Sequence, residues 1–454
     1  MNESNFSFVV MGDSHYANAK YHSRQIKNGV VDDLRRYTWM KSHVTAPLLA
    51  EINRLKPSFV LQLGDFAEGG CDNKKYESLE MSESLQFHSV LNAPLFIAKG
   101  NHERNPAYQK TVWPFLSKNL GFRLRSNYFS FDNHESAFLL VDSNDLKKGN
   151  RQFQWLKKTL AAARNRKHIF ICAHSPLFPI ARPFFGERNF IEAMLSLLKS
   201  HPITAFFCGH THNQCISIHP VGEQKLLQIK TAPTGFPPLN SIPLAGTRNI
   251  LDYREAGKYE YCWGYLEDSA PSYFHVEVNN GAARFTHHIF RSGPIGIIES
   301  KNGRLRAMKR PKENKAPAIR AGGLKKITSA FLHMGLYDSW KDNKMAMLNG
   351  EIIGRIPKAG AFIPRKGIEV PKTQLNLIKP ENFIEILNPE KENFTVGAIA
   401  LEITLRNGKK ARTNLSSKIY ASTRRWNDWN LKSLCYVRPG KKTGPISLKF
   451  GVTR

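Results

Sequence analysis

The feature of this 454-residue chain that most restricts its fold is a unit that occurs five times, a short apolar run followed at once by polar side chains. Each run is bounded by turn residues, so each is predicted to be a buried β-strand. Open α/β sheets place their ligands at the carboxyl ends of the strands. The polar segments are therefore predicted to meet at one edge of an α/β fold. The runs are 6–11 before Gly12-Asp13-Ser14-His15, 59–63 before Gly64-Asp65, 94–98 before Gly100-Asn101-His102-Glu103, 168–173 before His174, and 203–208 before Gly209-His210-Thr211-His212.

The third polar segment shows what chemistry these strand ends offer. Asn101 can give a carbonyl oxygen to a metal, His102 can donate or accept a proton, and Glu103 can orient that imidazole. One such segment is equally consistent with a helix cap or a buried histidine. Five segments with two Asp, one Asn and four His besides His102 are not explained that way, since a core has little use for such a set.

The order of these motifs, D-x-H, GD, GNH[DE], a lone His and GHxH, resembles the calcineurin-like metallophosphoesterase superfamily over about residues 5–290. The resemblance implies a four-layer α/β/β/α sandwich. Strands that alternate with helices at this spacing independently predict an α/β fold.

The resemblance also implies a role for each matching residue. Asp13, His15 and His212 would hold the first metal, and Asp65 would bridge it to the second. The remaining ligands of the second metal would be Asn101, His174 and His210. A bridging hydroxide between the metals would attack phosphorus, because two cations lower the pKa of bound water.

Two residues next to the metals receive catalytic roles from the same resemblance. His102 would donate a proton to the leaving oxygen or stabilise the charge that develops there, and Glu103 would hold its ring in place. Mixed carboxylate and imidazole donors suit Mn, Fe, Zn or Co better than Mg or Ca, and the sequence does not choose between them.

Two departures separate the chain from the purple acid phosphatase branch of that superfamily. That branch has a tyrosine three residues after the bridging aspartate, where this chain has Glu68, and it lacks a histidine at the position of His15. A coloured ferric site is therefore not expected.

The remaining periodicities predict the other elements of the first 290 residues. Helices are expected at about 38–54, with a kink or late start at Pro47, and at 76–90, 151–165 and 188–199. Residues 104–121 are expected to be irregular. A hairpin is predicted from strands 128–131 and 136–141, and strands 226–229 and 273–278 are expected to complete the second sheet.

Charge and turn signals predict the domain boundaries. Residues 301–454 hold 32 Lys and Arg against 11 Asp and Glu, whereas residues 1–300 hold 34 against 26. We predict a catalytic domain at 1–298, a basic linker at 299–326 and a small all-β, sandwich-like domain at 327–454. The linker is either a solvated segment or a contact for nucleic acid or another anionic surface.

Short strands define the predicted C-terminal domain. Asn349-Gly350 is a strong hairpin signal between strands 345–348 and 351–356. Further strands are predicted at 383–387, 396–405, 418–421 and 446–450.

Three observations lead us to expect a cytoplasmic protein. The chain has no run of about 18 apolar residues, so no transmembrane segment is predicted. The first strand begins near residue 6, which leaves no room for a signal peptide. The six cysteines form no CxxC pair, as expected in a reducing compartment.

Three functions are consistent with the motifs. The first is metal-dependent hydrolysis of phosphate esters, either monoesters or diesters. The second is a nuclease that binds DNA or RNA through the basic C-terminal third. The third is a non-catalytic binding protein on the same fold, which the complete set of expected ligands argues against.

Overall fold

A computed structural model describes most of the chain. The described residues are 5–23, 34–178, 188–212, 214–235, 263–267, 271–279, 281–290, 293–308, 319–320, 324, 326–389, 394–413, 420–421, 434–437, 440–443, 445–450 and 452–453. They form two compact units. The first comprises Met1–Pro311 with Tyr420–Asn430, and the second comprises Lys312–Ile419 with Leu431–Arg454.

The helices of the described residues all lie in the first unit, apart from the 3-10 helix Lys372–Leu377. The α-helices are α1 (Leu34–Met40), α2 (Ala46–Arg54), α3 (Lys74–His88), α4 (Ala107–Leu120), α5 (Arg151–Ala163) and α6 (Arg188–Leu198). A 3-10 helix, Ala19–Tyr21, follows the first strand, and the π-helical turn Lys41–Thr45 joins α1 to α2. No described helix is long and apolar enough to cross a membrane.

The strands are numbered in chain order through both units. They are β1 (Phe6–Met11), β2 (Phe59–Gln62), β3 (Leu95–Ile97), β4 (Phe129–Asn133), β5 (Ser136–Val141), β6 (His168–Ala173), β7 (Ala205–Cys208), β8 (Gln214–Val221), β9 (Gln224–Lys230), β10 (Trp263–Glu267), β11 (Ser272–Asn279), β12 (Ala282–Ile289), β13 (Gly293–Lys301), β14 (Arg304–Met308), β15 (Ile319–Arg320), β16 (Ile327–Ser339), β17 (Lys344–Leu348), β18 (Glu351–Ile356), β19 (Gly360–Glu369), β20 (Glu381–Asn388), β21 (Phe394–Leu405), β22 (Lys410–Arg412), β23 (Tyr420–Ala421), β24 (Leu434–Val437), β25 (Lys441–Lys442), β26 (Ile446–Lys449) and β27 (Val452–Thr453).

Two sheets form the core of the first unit. The first sheet has the order β14-β13-β12-β11-β1-β2-β3, and the second has the order β23-β10-β8-β9-β7-β6-β5-β4. In the first sheet β1, β2 and β3 are parallel, and in the second β5, β6, β7 and β9 are parallel. The sheets pack face to face through aromatic rings. The ring of Phe8 in β1 lies 5.1 Å from that of Phe138 and 5.3 Å from that of Phe170, both in the second sheet.

Helices cover the outer faces of both sheets, which gives the predicted four-layer α/β/β/α sandwich. Tyr108 of α4 donates a hydrogen bond to the carbonyl of Ile97 in β3 at 3.1 Å. Against the second sheet, Phe190 of α6 contacts Phe206 of β7. The side chain of Gln152 in α5 bonds the backbone of Asp142, directly after β5.

Local signals explain where most of these helices begin and end. The side chains of Asn73 and Asn150 accept backbone N–H bonds at the starts of α3 and α5. Near Pro47, where a kink or late start was predicted, α2 begins after the π-helical turn Lys41–Thr45 and carries the proline in its first turn. The predicted helices at 151–165 and 188–199 and the hairpin of β4 and β5 are also confirmed.

Three expectations for the first unit were wrong. Residues 104–121 are not irregular, because α4 buries Tyr108, Val112 and Leu116 even though Pro114 lies inside it. The strand predicted at 273–278 does not complete the second sheet, because β11 pairs antiparallel with β1 in the first sheet. Residues predicted as the start of the basic linker are ordered as β13 and β14, which extend the first sheet to Met308.

The second unit is all-β, as predicted. One sheet has the order β19-β16-β21-β22, with β24 beside β21, and another has the order β18-β17-β20-β25, with β26 beside β20. Their buried side chains form one core that includes Leu332, Leu401, Leu348 and Ile384, so the two sheets pack as a sandwich.

Two predicted strands of the C-terminal third had different outcomes. The hairpin of β17 and β18 is confirmed, because Asn349 and Gly350 have the positive φ angles, 53° and 93°, that a two-residue turn between right-twisted strands requires. The strand predicted at 418–421 does not join the sandwich. Its described part, β23, pairs with β10 in the second sheet of the first unit, and residues 418–419 lie outside the described residues.

Candidate metal centre

The five polar segments predicted from the sequence meet at one edge of the first unit. Three of them follow β1, β2 and β3 of the first sheet, and two follow β6 and β7 of the second sheet. The strands of each set are parallel, so their carboxyl ends lie on the same side. Because the two sheets pack face to face, side chains more than a hundred residues apart in sequence come within hydrogen-bond distance.

One group of donor atoms combines the first, second and fifth segments. Ligand atoms of Asp13, His15, Asp65 and His212 all lie within 4.8 Å of one another. The Nε2 atoms of His15 and His212 are 3.0 Å apart, and an Asp13 oxygen lies 3.6 Å from Nε2 of His212. Such convergence of imidazole nitrogens and a carboxylate is the geometry of ligands that share one cation.

A second group lies on the other side of Asp65. Its members are Asp65, His174 and His210, whose ligand atoms also lie within 4.8 Å of one another. Nε2 of His174 is 3.0 Å from Asp65 Oδ2, 3.0 Å from Nδ1 of His210 and 2.9 Å from Oδ1 of Asn101. The carboxylate of Asp65 therefore belongs to both groups. The structure brings together all seven residues predicted as metal ligands.

Hydrogen bonds outside the groups determine which nitrogen each ring presents. Nδ1 of His174 lies 2.9 Å from the carbonyl oxygen of Leu63, which can only accept, so this nitrogen carries the proton. Nδ1 of His15 lies 2.7 Å from the carboxylate of Glu68 and donates to it. In both rings Nε2 faces Asp65. Acceptors of this kind fix the tautomer and orientation of metal-binding histidines.

Burial and charge shift the pKa values of these side chains strongly. Burial lowers the pKa of His15, but the hydrogen bond and charge of Glu68 and the charges of Asp65 and Asp13 raise it to about 9. Burial also lowers the pKa of His174, and Asp65 raises it to about 9. Burial raises the pKa of Asp13 to about 6. In the absence of cations, protons on these side chains balance the negative charge of the carboxylates in the site.

The backbone at these positions is strained. Nine described residues other than glycine have a positive φ, and five of them are candidate ligands, namely Asp13 (49°), His15 (41°), Asp65 (50°), His210 (71°) and His212 (51°). A side chain in this region costs about 1–3 kcal/mol and is held there only by the surrounding structure. Strain of this kind concentrates at functional sites.

The structure places His102 as predicted but assigns the support of its ring to a different residue. Nε2 of His102 lies 3.9 Å from Asp65 Oδ2, and its side chain is 33% exposed whereas that of Asp65 is 2% exposed. His102 is therefore, with the exposed Asn101, a member of the site that an incoming molecule can contact. Its Nδ1 donates to the backbone carbonyl of Glu68.

Glu103 bonds backbone groups instead of making the predicted contact with the ring of His102. The carboxylate of Glu103 accepts the backbone N–H groups of Gly100, Asp65 and Ala67 at 2.7, 3.1 and 3.2 Å. It is fully buried, and it joins the loop after β3 to the loop after β2. Its two oxygens are thus used by backbone donors, and the ring of His102 is held by Glu68 instead.

Glu68 is the residue of the site that the sequence did not assign. Its carboxylate orients His15 and its carbonyl orients His102, so one residue fixes the tautomers of two rings. The sequence signal was present, because Glu68 stands three residues after Asp65, but spacing alone does not show which ring it faces.

Comparison with known proteins now bears on this geometry. Residues 6–214 match the family model described as calcineurin-like phosphoesterase. This part of the chain is similar to that family. The matched range contains all nine predicted site positions, the last of which is His212.

Individual relatives of this phosphoesterase region are acid phosphatases. Tartrate-resistant acid phosphatase type 5 of Sus scrofa is 30% identical over 192 residues, which is 36% of this chain and 55% of that protein. The enzyme of the same name from Homo sapiens is 25% identical over 271 residues, which is 51% of this chain and 76% of that protein. A solved structure of a dimetal phosphatase from Danio rerio covers 65% of this chain and 99% of its own chain, with 14% identity and a TM-score of 0.44.

The donor set of the phosphoesterase region fits two divalent cations. Each group offers imidazole nitrogen and carboxylate oxygen, and the amide oxygen of Asn101 adds to the second group. The Asp65 carboxylate, with two oxygens, lies between the groups, as a bridging ligand requires. Mixed donors of this kind favour Mn, Fe or Zn over Mg or Ca.

Proposed function

We propose that this chain hydrolyses phosphate esters at a dinuclear metal site. Its ligands are Asp13, His15, Asp65, Asn101, His174, His210 and His212. The observation that carries the proposal is the position of Asp65, whose carboxylate is shared by two donor groups that otherwise have no member in common. Two divalent cations bound there supply an activated water near neutral pH and neutralise phosphoryl oxygens.

The residues of the chain contribute orientation and proton transfer. Glu68 and the carbonyl of Leu63 hold His15 and His174 with Nε2 toward the metals. The partly exposed ring of His102 stands at the rim of the site, where it can donate a proton to the leaving oxygen of a bound ester. Buried Asp65 and Asp13 provide the negative charge that the cations balance.

We infer further that phosphomonoesters are the preferred substrates, because the relatives with significant identity are named as acid phosphatases. The nuclease alternative gains no support from these relatives. The non-catalytic alternative is disfavoured because all seven donors are assembled, and a binding surface does not require the strained backbone that brings them together.

The test uses metal-stripped protein reloaded with Mn, Zn or Fe and assayed on a paired monoester and diester. We expect metal-dependent turnover with the monoester favoured, and its loss in Asp65→Asn, which removes the shared charge. Asp132→Asn is the matched control. Asp132 lies on the hairpin of β4 and β5, is half exposed and forms an ion pair with Arg166. Two bound equivalents without turnover under any metal would refute the proposal.

A further inference from the structure

A second cluster of metal-binding side chains lies outside the candidate metal centre. It consists of His22, Cys71 and Glu80, whose ligand atoms all lie within 4.8 Å of one another. His22 comes from the loop after β1, Cys71 from the loop after β2, and Glu80 from the middle of α3. His22 and Glu80 are fully buried, and Cys71 is partly buried. The cluster shares no residue with the seven ligands proposed above.

The backbone fixes the carboxylate of this cluster in place. Glu80 accepts the backbone N–H of Asn18 at 3.0 Å and that of Gly69 at 2.9 Å. These two donors belong to the loops that carry His15 and Glu68. The carboxylate is therefore preorganised between the loops, unlike an exposed ion pair whose side chains are free to separate.

The imidazole of His22 makes its described polar contacts at a single atom. Nε2 lies 2.6 Å from Glu80 Oε1 and 3.9 Å from the sulfur of Cys71. Nδ1 is buried and has no hydrogen-bond partner among the described residues. Both described polar contacts of the ring are made by Nε2, which faces the thiol of Cys71 and the carboxylate of Glu80.

The distances suit a small tetrahedral cation. Zinc binds sulfur at about 2.3 Å and nitrogen or oxygen at about 2.0–2.2 Å, so tetrahedral ligand atoms lie roughly 3.3–3.6 Å apart. Cys71 Sγ lies 3.5 Å from Glu80 Oε2 and 3.9 Å from His22 Nε2. The 2.6 Å contact between His22 and Glu80 is shorter because a proton occupies it. Exchange of that proton for a cation requires this contact to open by about 0.7 Å.

We propose that His22, Cys71 and Glu80 form a mononuclear zinc site that ties together the two loops carrying ligands of the candidate metal centre. Thiolate, imidazole and carboxylate donors together select zinc or cobalt over magnesium or calcium. Binding replaces the thiol proton of Cys71 and the proton between His22 and Glu80, and both protons pass to solvent. Water takes the fourth position.

The proposal is tested by metal counting and by cobalt spectroscopy on the full chain. We expect the zinc-saturated wild type to hold one equivalent more than Cys71→Ser and than His22→Gln. Cobalt-substituted wild type should show a thiolate-to-cobalt charge-transfer band that Cys71→Ser lacks. Cys435→Ser, a substitution in the second unit, is the matched control and should keep both the band and the extra equivalent.

The outcomes separate this site from the proposed dinuclear centre. Asp65→Asn should keep the thiolate band, because it changes only the other site. Absence of the band in the wild type, or a zinc count unchanged in Cys71→Ser, would show that His22 and Glu80 form an ion pair only. The wild-type cobalt spectrum gives this answer even if a variant fails to fold.

Discussion

The residue that most clearly links chemistry to geometry is Glu68. It approaches two histidines with different atoms, the carboxylate toward His15 and the backbone carbonyl toward His102. In each contact an oxygen of Glu68 accepts a hydrogen bond from Nδ1–H, which leaves Nε2 directed at Asp65. The two Nε2 atoms lie 3.8 and 3.9 Å from Asp65 Oδ2. One residue, through its side chain and its backbone, thus orients two rings.

Glu68→Gln should weaken metal binding by about 10- to 100-fold, the usual effect of losing a carboxylate that orients a metal-binding histidine. The amide keeps the shape but not the charge. Isothermal titration of metal-stripped protein measures the affinity. Glu135→Gln, which removes an exposed carboxylate paired with Lys167, is the control and should bind like the wild type. Equal affinities for both variants would mean that Glu68 does not support His15.

His102→Ala should lower turnover by about a hundred- to ten-thousandfold with metal content unchanged. The metal content is expected to persist because the contact of this residue with Asp65 Oδ1 comes from its backbone N–H, which alanine retains at 3.0 Å. Turnover and metal content are measured on the same preparation. Undiminished turnover would exclude His102 as the proton donor.

At the scale of elements, the loops that follow the strands position the side chains of the site. Gly69 and Gly70 both have φ of 62°, and they turn the loop after β2 so that it passes directly under the loop after β3. A Cβ at Gly69 would lie 2.1 Å from the carbonyl oxygen of His102. The close approach, and not only the backbone angle, therefore requires glycine at this position.

Gly69→Ala should displace the loop that holds His102 and reduce turnover by at least about tenfold, as expected when a proton donor is misplaced. Gly121→Ala is a matched control, because Gly121 also has a positive φ, 75°, but has open space around it. Backbone strain should cost each variant about 1–2 kcal/mol of stability in denaturant unfolding. Gly69→Ala should lose more, because its Cβ would overlap the carbonyl oxygen of His102. Equal turnover in the two variants would show that the close contact has no consequence for the site.

At the scale of the whole first unit, the site joins two sheets, so its protonation and metal content should affect global stability. The pKa values of His15 and His174 are about 9 in the folded chain against an ordinary value of 6.5. The stability that their charged forms contribute is fully present below pH 6.5 and is lost as the pH rises through 9. Cations bind the deprotonated rings, so they act in the opposite direction.

The melting temperature of metal-free protein should therefore fall between about pH 6.5 and 9, while the increase caused by added metal should grow over the same range. Thermal unfolding with and without Mn or Zn at a series of pH values measures both. Asp65→Asn should show little metal-induced increase at any pH. An increase that is the same at pH 6.5 and pH 8.5 would contradict the proposed coupling.

Much of this arrangement was predictable because its signals are local. The runs before Asp13 and His174 are apolar, short and followed by polar residues, and they are strands in the structure. The helix α4 was missed because Pro114 lies in its middle, and the tertiary contacts of Tyr108 and Val112 outweigh that signal. The sheet of β11 was assigned wrongly because strand partners are chosen by packing between distant segments, which alternation along one strand does not encode.

By itself, the sequence determined the identity and order of the candidate ligands, the α/β class of the first unit and the all-β class of the second. Tertiary structure alone decided that Glu68 orients His15 and His102, and that Glu103 bonds backbone instead. The physical reason is that strands and loops follow from neighbouring residues, whereas the direction of a ring depends on acceptors from distant segments that only tertiary packing brings within 3 Å.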